Sequence, residues 1–363
     1  MSHSSIVRWI VGVCTSLRLS QRKTLGELVF GAMRCRRVSL ADIGRSMSTR
    51  TTVKHNIKRV YRFLKNHRVE AADACGALMC LGARAGTGRL FVAVDWVDVG
   101  QYKLLRGAVP LGGRSVPILF AAYRKWQLHK SQNAFEEGFF RLLAAIAPDH
   151  VELVVLADRG FGRAELARTL QKLGVGYIIR VGLMVNFSSE KYCGLLYDLP
   201  VRWGTHKDLG FGSYRKSRPV RQRVIVYWKR PHKEPWFVVT SLDWGWRKVS
   251  GAFGLRMKIE ELFRDEKNLR YGWGLRQLSL SEPERLERML LVLAFAYLLV
   301  LLVGIRCQQQ LPQSHWAAAS GKRRQASAFF VGRYMQGRAR FSLRRLLRLL
   351  ATALAAITEE NWG

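Results

Sequence analysis

Between residues 88 and 182 two kinds of hydrophobic periodicity follow one another in an order that few folds accommodate. "RLFVAVDWVDVG", "QYKLLRGAVPL" and "SVPILFAAY" are three β-rich runs parted by Gly and Pro, the pattern of an antiparallel meander. An apolar-periodic helix follows, "AFEEGFFRLLAAIAP". After it come the strand "VELVVLADRG", the helix "RAELARTLQKLG" and the strand "GYIIRVG". "LVVLA" is apolar on every residue, so its strand must be covered on both faces. The chain therefore predicts a mixed sheet with helices packed against it, in the order β-β-β-α-β-α-β.

That order is the ribonuclease-H-like one. Residues 182 to 242 interrupt it with "DLGFGSYRK", "QRVIVYWKR" and "PWFVVTSL", strand-like pieces rich in Arg, Lys and Trp that read as a small β-rich insertion. The expected division is a helical DNA-binding domain over 1–75, a first catalytic part over 76–181, the insertion over 182–242, a second catalytic part over 243–306, and a basic helical region over 307–363. Within the first of these, "SLADIGRSMSTRTTVKHNIKRVYRFLKN" predicts a short helix, a turn at Ser46 to Thr51 and a longer helix carrying Lys54, Lys58, Arg59, Arg62 and Lys65. That is similar to a helix-turn-helix, and it makes this helix the expected DNA-reading element.

Charge narrows the partners. Sixty Lys and Arg against 26 Asp and Glu give a formal charge of +34, spread from the N-terminal helices to "GKRRQ" and "RARFSLRRLLRLL". A field of that sign calls for a polyanion, with nucleic acid ahead of an anionic membrane surface. Cysteines at 14, 35, 75, 80, 193 and 307 contain no C-x-x-C pair. Without a secretory leader they suggest neither a disulfide framework nor a zinc site, and the expected setting is cytoplasmic, with the chain associated with the nucleoid. "MLLVLAFAYLLVLLVGI", 289–305, is apolar enough to raise a membrane span, but its length falls just short of the ~18 to 20 residues a span needs, and a buried core helix is the preferred reading.

In a chain with so few acids, those placed on apolar strands carry information. Asp95 interrupts the run after "LFVAV" and Asp158 ends "LVVLA" just before the chain-turning "RGFG". An unpaired buried carboxylate costs several kcal/mol, so such residues are paired, bound to metal, or opened into a cleft. A turn or helix cap is the simpler role for an isolated strand-end Asp such as Asp158. Asp98 competes with Asp95, because residues an odd number apart on a strand face opposite ways. Asp95 is preferred because Asp98 adjoins the turn at Gly100. With Glu260 these acids give carboxylates from three separate elements, a set that could hold two divalent cations for in-line phosphoryl displacement. Magnesium suits such a site, and manganese could replace it.

Glu260 lies in "GAFGLRMKIEELFRDEKN", 251–268, which reads as an amphipathic helix. Phe253, Arg256, Glu260, Arg264 and Lys267 share an arc of about 80° opposite Leu255, Ile259, Leu262 and Phe263. One acid within a row of bases is either a solvated face laced with i,i+4 pairs or a metal ligand whose neighbours face DNA phosphates. Phe253, Arg256, Glu260 and Lys267 match, in all three spacings, the Y-(2)-R-(3)-E-(6)-K signature, with Phe in place of Tyr. Taken with "VAVD" and "LADRGF", the chain from about 40 to 305 resembles the DDE transposases of bacterial insertion sequences. The resemblance implies a metal-binding triad of Asp95, Asp158 and Glu260, with Arg256 and Lys267 on DNA phosphates near the cut. It implies further that Trp236 stacks on a flipped base and that Arg180 contacts transposon-end DNA. Phe253 has no hydroxyl for a phosphate contact.

The expected partners are double-stranded DNA, both terminal repeats and target, and a second copy of the chain in a synaptic complex. A structure-specific nuclease, a silent DNA-binding descendant and a membrane-surface protein are the rival readings.

Overall fold

A computed structural model describes residues 1–83, 88–230, 232–318 and 326–355. "GKRRQ", 321–325, lies outside them. Five helices come first: α1 (His3–Val13), α2 (Leu19–Arg34), α3 (Leu40–Ser46), α4 (Val53–Lys65) and α5 (Ala71–Ala83). Ser39 starts α3, its hydroxyl accepting the Asp42 N–H at 3.0 Å. A Cβ on Gly44 would come within 2.8 Å of the Ile57 backbone, so glycine lets α3 and α4 cross closely. Lys54, Lys58, Arg62 and Lys65 on α4 are exposed, whereas Arg59 is engaged by Glu27 of α2.

The strands β1 (Arg89–Val99), β2 (Tyr102–Leu111) and β3 (Arg114–Arg124) form the predicted meander. Its second turn is Gly112–Gly113, with φ of 55° and 78°. Positive φ at both central residues is what a two-residue hairpin turn needs, and glycine supplies it without strain. Then follow α6 (Gln132–Ala145), β4 (Glu152–Ala157), α7 (Ala164–Lys172) and β5 (Gly176–Arg180). β1, β4 and β5 are parallel neighbours. This is the ribonuclease-H-like order the sequence predicts.

The region after β5 is β-rich, and its strands extend the sheet. β6 (Asn186–Ser189), β7 (Tyr192–Leu195), β8 (His206–Tyr214), β9 (Val220–Tyr227) and β10 (Trp236–Thr240) join the same sheet, because β10 pairs antiparallel with β5. The result is one ten-stranded sheet in the order β3-β2-β1-β4-β5-β10-β9-β8-β6-β7. β6 and β7 went unpredicted because "NFSS" and "YCGL" lack β-branched residues and are only four residues long.

Beyond the sheet the chain forms α8 (Trp246–Gly254), a 3-10 turn (Leu255–Met257), α9 (Lys258–Lys267), α10 (Pro283–Gln310), α11 (Ala328–Met335) and α12 (Leu343–Ala355). The apolar run at 289–305 sits inside the 28-residue α10, a helix long and apolar enough to cross a membrane, yet 94% of its most apolar window is buried by the rest of the chain. It packs against α2, α4, α5, α11, α12 and β3, the role of a central core helix. At its crossing with α11, a Cβ on Gly304 would lie 1.7 Å from the Ala328 carbonyl oxygen and one on Gly332 1.9 Å from that of Val300. Only glycine fits either place.

Candidate active site

The parallel register of β1 and β4 aligns Ala93 with Leu156 and Val94 with Ala157. The next residues along are Asp95 and Asp158, so strand pairing alone brings these two acids side by side at the carboxyl end of β4, where crevices open in such sheets. Each has one oxygen held by the backbone. Asp95 Oδ1 accepts the Trp96 N–H at 2.8 Å, and Asp158 Oδ1 accepts the Arg159 N–H at 2.6 Å, which starts a short 3-10 turn. Asp158 thus caps a turn and faces the crevice at once. Asp98 points elsewhere and pairs with Lys125 at 3.4 Å.

Glu260 arrives from α9, whose position is fixed by buried polar ties as well as by Ile259, Leu262 and Phe263. Arg106 on β2, opposite Asp95 in register, donates two 3.0 Å hydrogen bonds to Glu266, and both side chains are almost wholly buried. Fork-to-carboxylate pairing of this kind orients as well as attracts. Arg114 reaches Asp265 at 2.8 Å and Glu261 at 3.2 Å, and the Tyr297 hydroxyl of α10 donates to Asp265 at 2.9 Å. None of these partners was anticipated. The signal available was Arg106 itself, a lone charge inside the apolar run "LLRGAVPL".

The three acids meet on Arg256. Its guanidinium lies 2.8 Å from Asp95 Oδ2, 3.4 Å from Asp158 Oδ2 and 2.6 Å from Glu260 Oε1, and the residue is only 7% exposed. The predicted continuous helix is broken here: α8 ends at Gly254, and the 3-10 turn carries Arg256 inward before α9 begins. A solvated face is therefore excluded for Arg256. Burial pushes the Asp95 carboxyl up to about 6 against the opposing pull of Arg256 and the Trp96 N–H, while Asp158 and Glu260 raise it further. Beside the cluster, Glu136 of α6 is buried and accepts from Trp96 Nε1 at 2.8 Å and Gln132 Nε2 at 2.9 Å, with Arg163 as its ion partner. This network fixes the residue next to Asp95.

The remaining predicted residues divide. Lys267 borders an open cleft of about 390 Å³ shared with Glu260, Phe263, Arg264, Asn268 and Arg276. Its ammonium pKa is lowered, by desolvation first and then by Arg276, and its Nζ lies 5.8 Å from the Phe263 ring. Arg264 is exposed and pairs with Glu261 at 2.8 Å. Arg180 and Trp236 are neighbours: the guanidinium lies 5.2 Å from the indole centre and also pairs with Glu234. His232 stacks on Trp236 with ring centres 3.6 Å apart. Phe253 is 1% exposed and meets Trp236 edge-on at 5.4 Å. This corrects its placement among DNA-contacting residues: without a hydroxyl it packs in the core and backs the tryptophan. Lys54, Lys58, Arg59 and Arg62 lie on α4, apart from the acids in the sequence and on another element.

Three carboxylates with oxygens turned to one cation are a hard-oxygen donor set that suits magnesium or manganese. As they stand they share a guanidinium, and among the described residues no three His, Cys, Asp or Glu side chains are grouped so as to hold a metal ion. The donor chemistry fits a divalent cation.

The sheet and its flanking helices are consistent with a ribonuclease-H-like domain. Residues 127–299 match the family described as Transposase DDE domain, and this similarity points to a DDE transposase, for which DNA is the implied partner. The matched stretch takes in Asp158 and Glu260 and begins after Asp95. No curated protein matches the chain.

Proposed function

We propose that this protein is a DNA transposase of the insertion-sequence group with the Y-R-E-K signature. It hydrolyses a phosphodiester bond at the ends of a mobile element and joins the freed 3′-hydroxyl to target DNA. The observation that carries the proposal is the convergence of Asp95, Asp158 and Glu260 from three elements onto one buried guanidinium at the carboxyl end of a ribonuclease-H-like sheet.

In hydrolysis the oxygen of water bonds to phosphorus as the bond to the 3′-oxygen breaks. In joining, that 3′-oxygen bonds to a target phosphorus and releases a new 3′-end. Asp95, Asp158 and Glu260 would hold two divalent cations, which when bound supply activation of the attacking oxygen and stabilisation of the leaving one. The chain's own part is positioning. Trp96 and Arg159 N–H groups aim the two aspartates, and the Arg106–Glu266 pair holds α9 against the sheet. Arg256 compensates the three carboxylates, and with a strand bound it would be free to take a phosphate oxygen. Lys267, Arg264 and Arg276 put positive charge along the cleft beside Glu260. Arg180 and Trp236 form a charged aromatic surface for the transposon end, and α4 supplies sequence reading within the helical part over 1–75. Two copies would hold two ends together.

The test is incubation in Mg²⁺ of the full chain with labelled DNA from either side of its own coding sequence and a supercoiled plasmid as target. Joined products support the proposal. Nicks without joined products would favour a structure-specific nuclease built on the same acids, and intact DNA that is nevertheless bound would favour a silent DNA-binding protein.

A further inference from the structure

The cleft beside Glu260 does not end at Lys267. It shares Arg264 and Asn268 with a second cavity of about 450 Å³, which is lined also by Tyr271, Trp316 and Phe330. There an aromatic strip begins. Arg270 lies 5.2 Å from the centre of the Tyr271 ring, and Tyr271 meets Phe330 edge-on at 5.8 Å. Phe330 runs parallel to Tyr334 with ring centres 6.4 Å apart, and Arg338 sits 3.8 Å from the centre of Tyr334. Tyr271 is 50% exposed and Tyr334 42%, unusual for side chains of that size.

The strip is mounted rigidly. Asn268 Oδ1 accepts the N–H groups of Arg270 and Tyr271, each at 2.8 Å. Arg333, between Phe330 and Tyr334 on α11, donates to the carbonyls of Tyr271, Gly272, Cys35 and Arg36, tying the loop, α11 and the α2–α3 connection together. Gly272 allows the tight path, since a Cβ there would lie 2.0 Å from the Asp265 carbonyl oxygen.

A series of rings, exposed at Tyr271 and Tyr334 and flanked by guanidinium groups beside a basic cleft, has a specific use. Ring faces stack on bases, guanidiniums hold phosphates or stack in turn, and duplex DNA, whose bases are already stacked, offers little to the rings. We infer that the strip from Arg270 to Arg338 binds an unpaired segment of DNA leading away from the cleft at Glu260. The assignment of the strand to DNA rests on the proposed function; the presence of a single-strand site does not.

The test is fluorescence anisotropy of the full chain, in EDTA so that no cleavage occurs, with a labelled oligothymidylate and a duplex of mixed sequence. Tyr271→Ala and Tyr334→Ala should each weaken oligothymidylate binding by about tenfold, within the range for one lost stack, and change duplex binding less than twofold. Tyr334→Phe keeps the ring and should bind as the wild type does. Wild-type affinity for oligothymidylate in both alanine variants would overturn the inference. So would equal losses for duplex and single strand, or a loss in Tyr334→Phe matching that in Tyr334→Ala. Binding is read in EDTA, where no strand is cut, so failure of the cleavage reading and failure of the strip are told apart.

Discussion

Arg256 is the residue on which the geometry of the acids depends. A buried cation compensating three carboxylates leaves them facing one another when it is removed; breaking a fully buried ion pair from one side costs about 3–5 kcal/mol, and the cost here is smaller because Asp158 and Glu260 are partly exposed. Arg256→Ala should therefore melt well below the wild type in EDTA, and Mg²⁺ or Mn²⁺ should raise its melting temperature more than it raises that of the wild type, because the cation takes the vacated role. Equal melting of the two proteins, with no difference in response to metal, would show that the guanidinium is dispensable. Arg256, Glu260 and Lys267 were legible as a spacing. The inward turn of Arg256 was not, because a uniform helical wheel across 251–268 cannot show a 3-10 break after Gly254. Asp95 and Asp158 were legible because each ends or interrupts an apolar strand, and the register that sets them side by side follows from that placement.

At the level of elements, the strand and helix order from 88 to 180 could be read almost throughout, since alternation and full-apolar runs are local signals. What could not be read is long-range: the pairing of β10 with β5 that fuses the insertion to the sheet, and the Arg106–Glu266 pair linking β2 to α9. The central helix holds a further acid, partly buried, with a tie of this kind. Glu287 on α10 accepts the Ala122 N–H of β3 at 2.8 Å, and burial pushes its carboxyl up to about 7. Its folded pKa lies above the unfolded value of 4.5, so the folded state binds the extra proton and stability falls as pH rises from about 4.5 to about 7. Asp95 and Asp265, both raised to about 6, act with the same sign, so the informative quantity is a difference between proteins. Glu287→Gln keeps an acceptor for Ala122. It should match the wild type near pH 4 and exceed it above pH 7 by roughly 2 kcal/mol, the full shift discounted for partial solvation. Denaturant titrations at the two pH values check this, and a constant difference between them would contradict it.

For the whole molecule, charge and fold point to the same partner. A chain of formal charge +34 displays Lys54, Lys58 and Arg62 on α4, Lys267 and Arg276 beside the acids, and Arg344 and Arg348 on α12. If contacts of this number neutralise phosphates, DNA affinity should fall by about a thousandfold or more between 50 and 200 mM salt, with a linear log–log slope. A salt-insensitive affinity would mean that these groups do not meet the DNA backbone. Cutting is a separate matter from binding, because phosphate attraction comes from Lys and Arg while chemistry is assigned to three acids. The most direct measurement is strand cleavage in Mg²⁺ of DNA from the flanks of the coding sequence, run beside binding, for the wild type and for Asp95→Ala, Asp98→Ala, Asp158→Ala and Glu260→Ala. The wild type and Asp98→Ala should cut, and the other three should bind but leave the strand whole. Full cleavage by Asp95→Ala, Asp158→Ala or Glu260→Ala would contradict it.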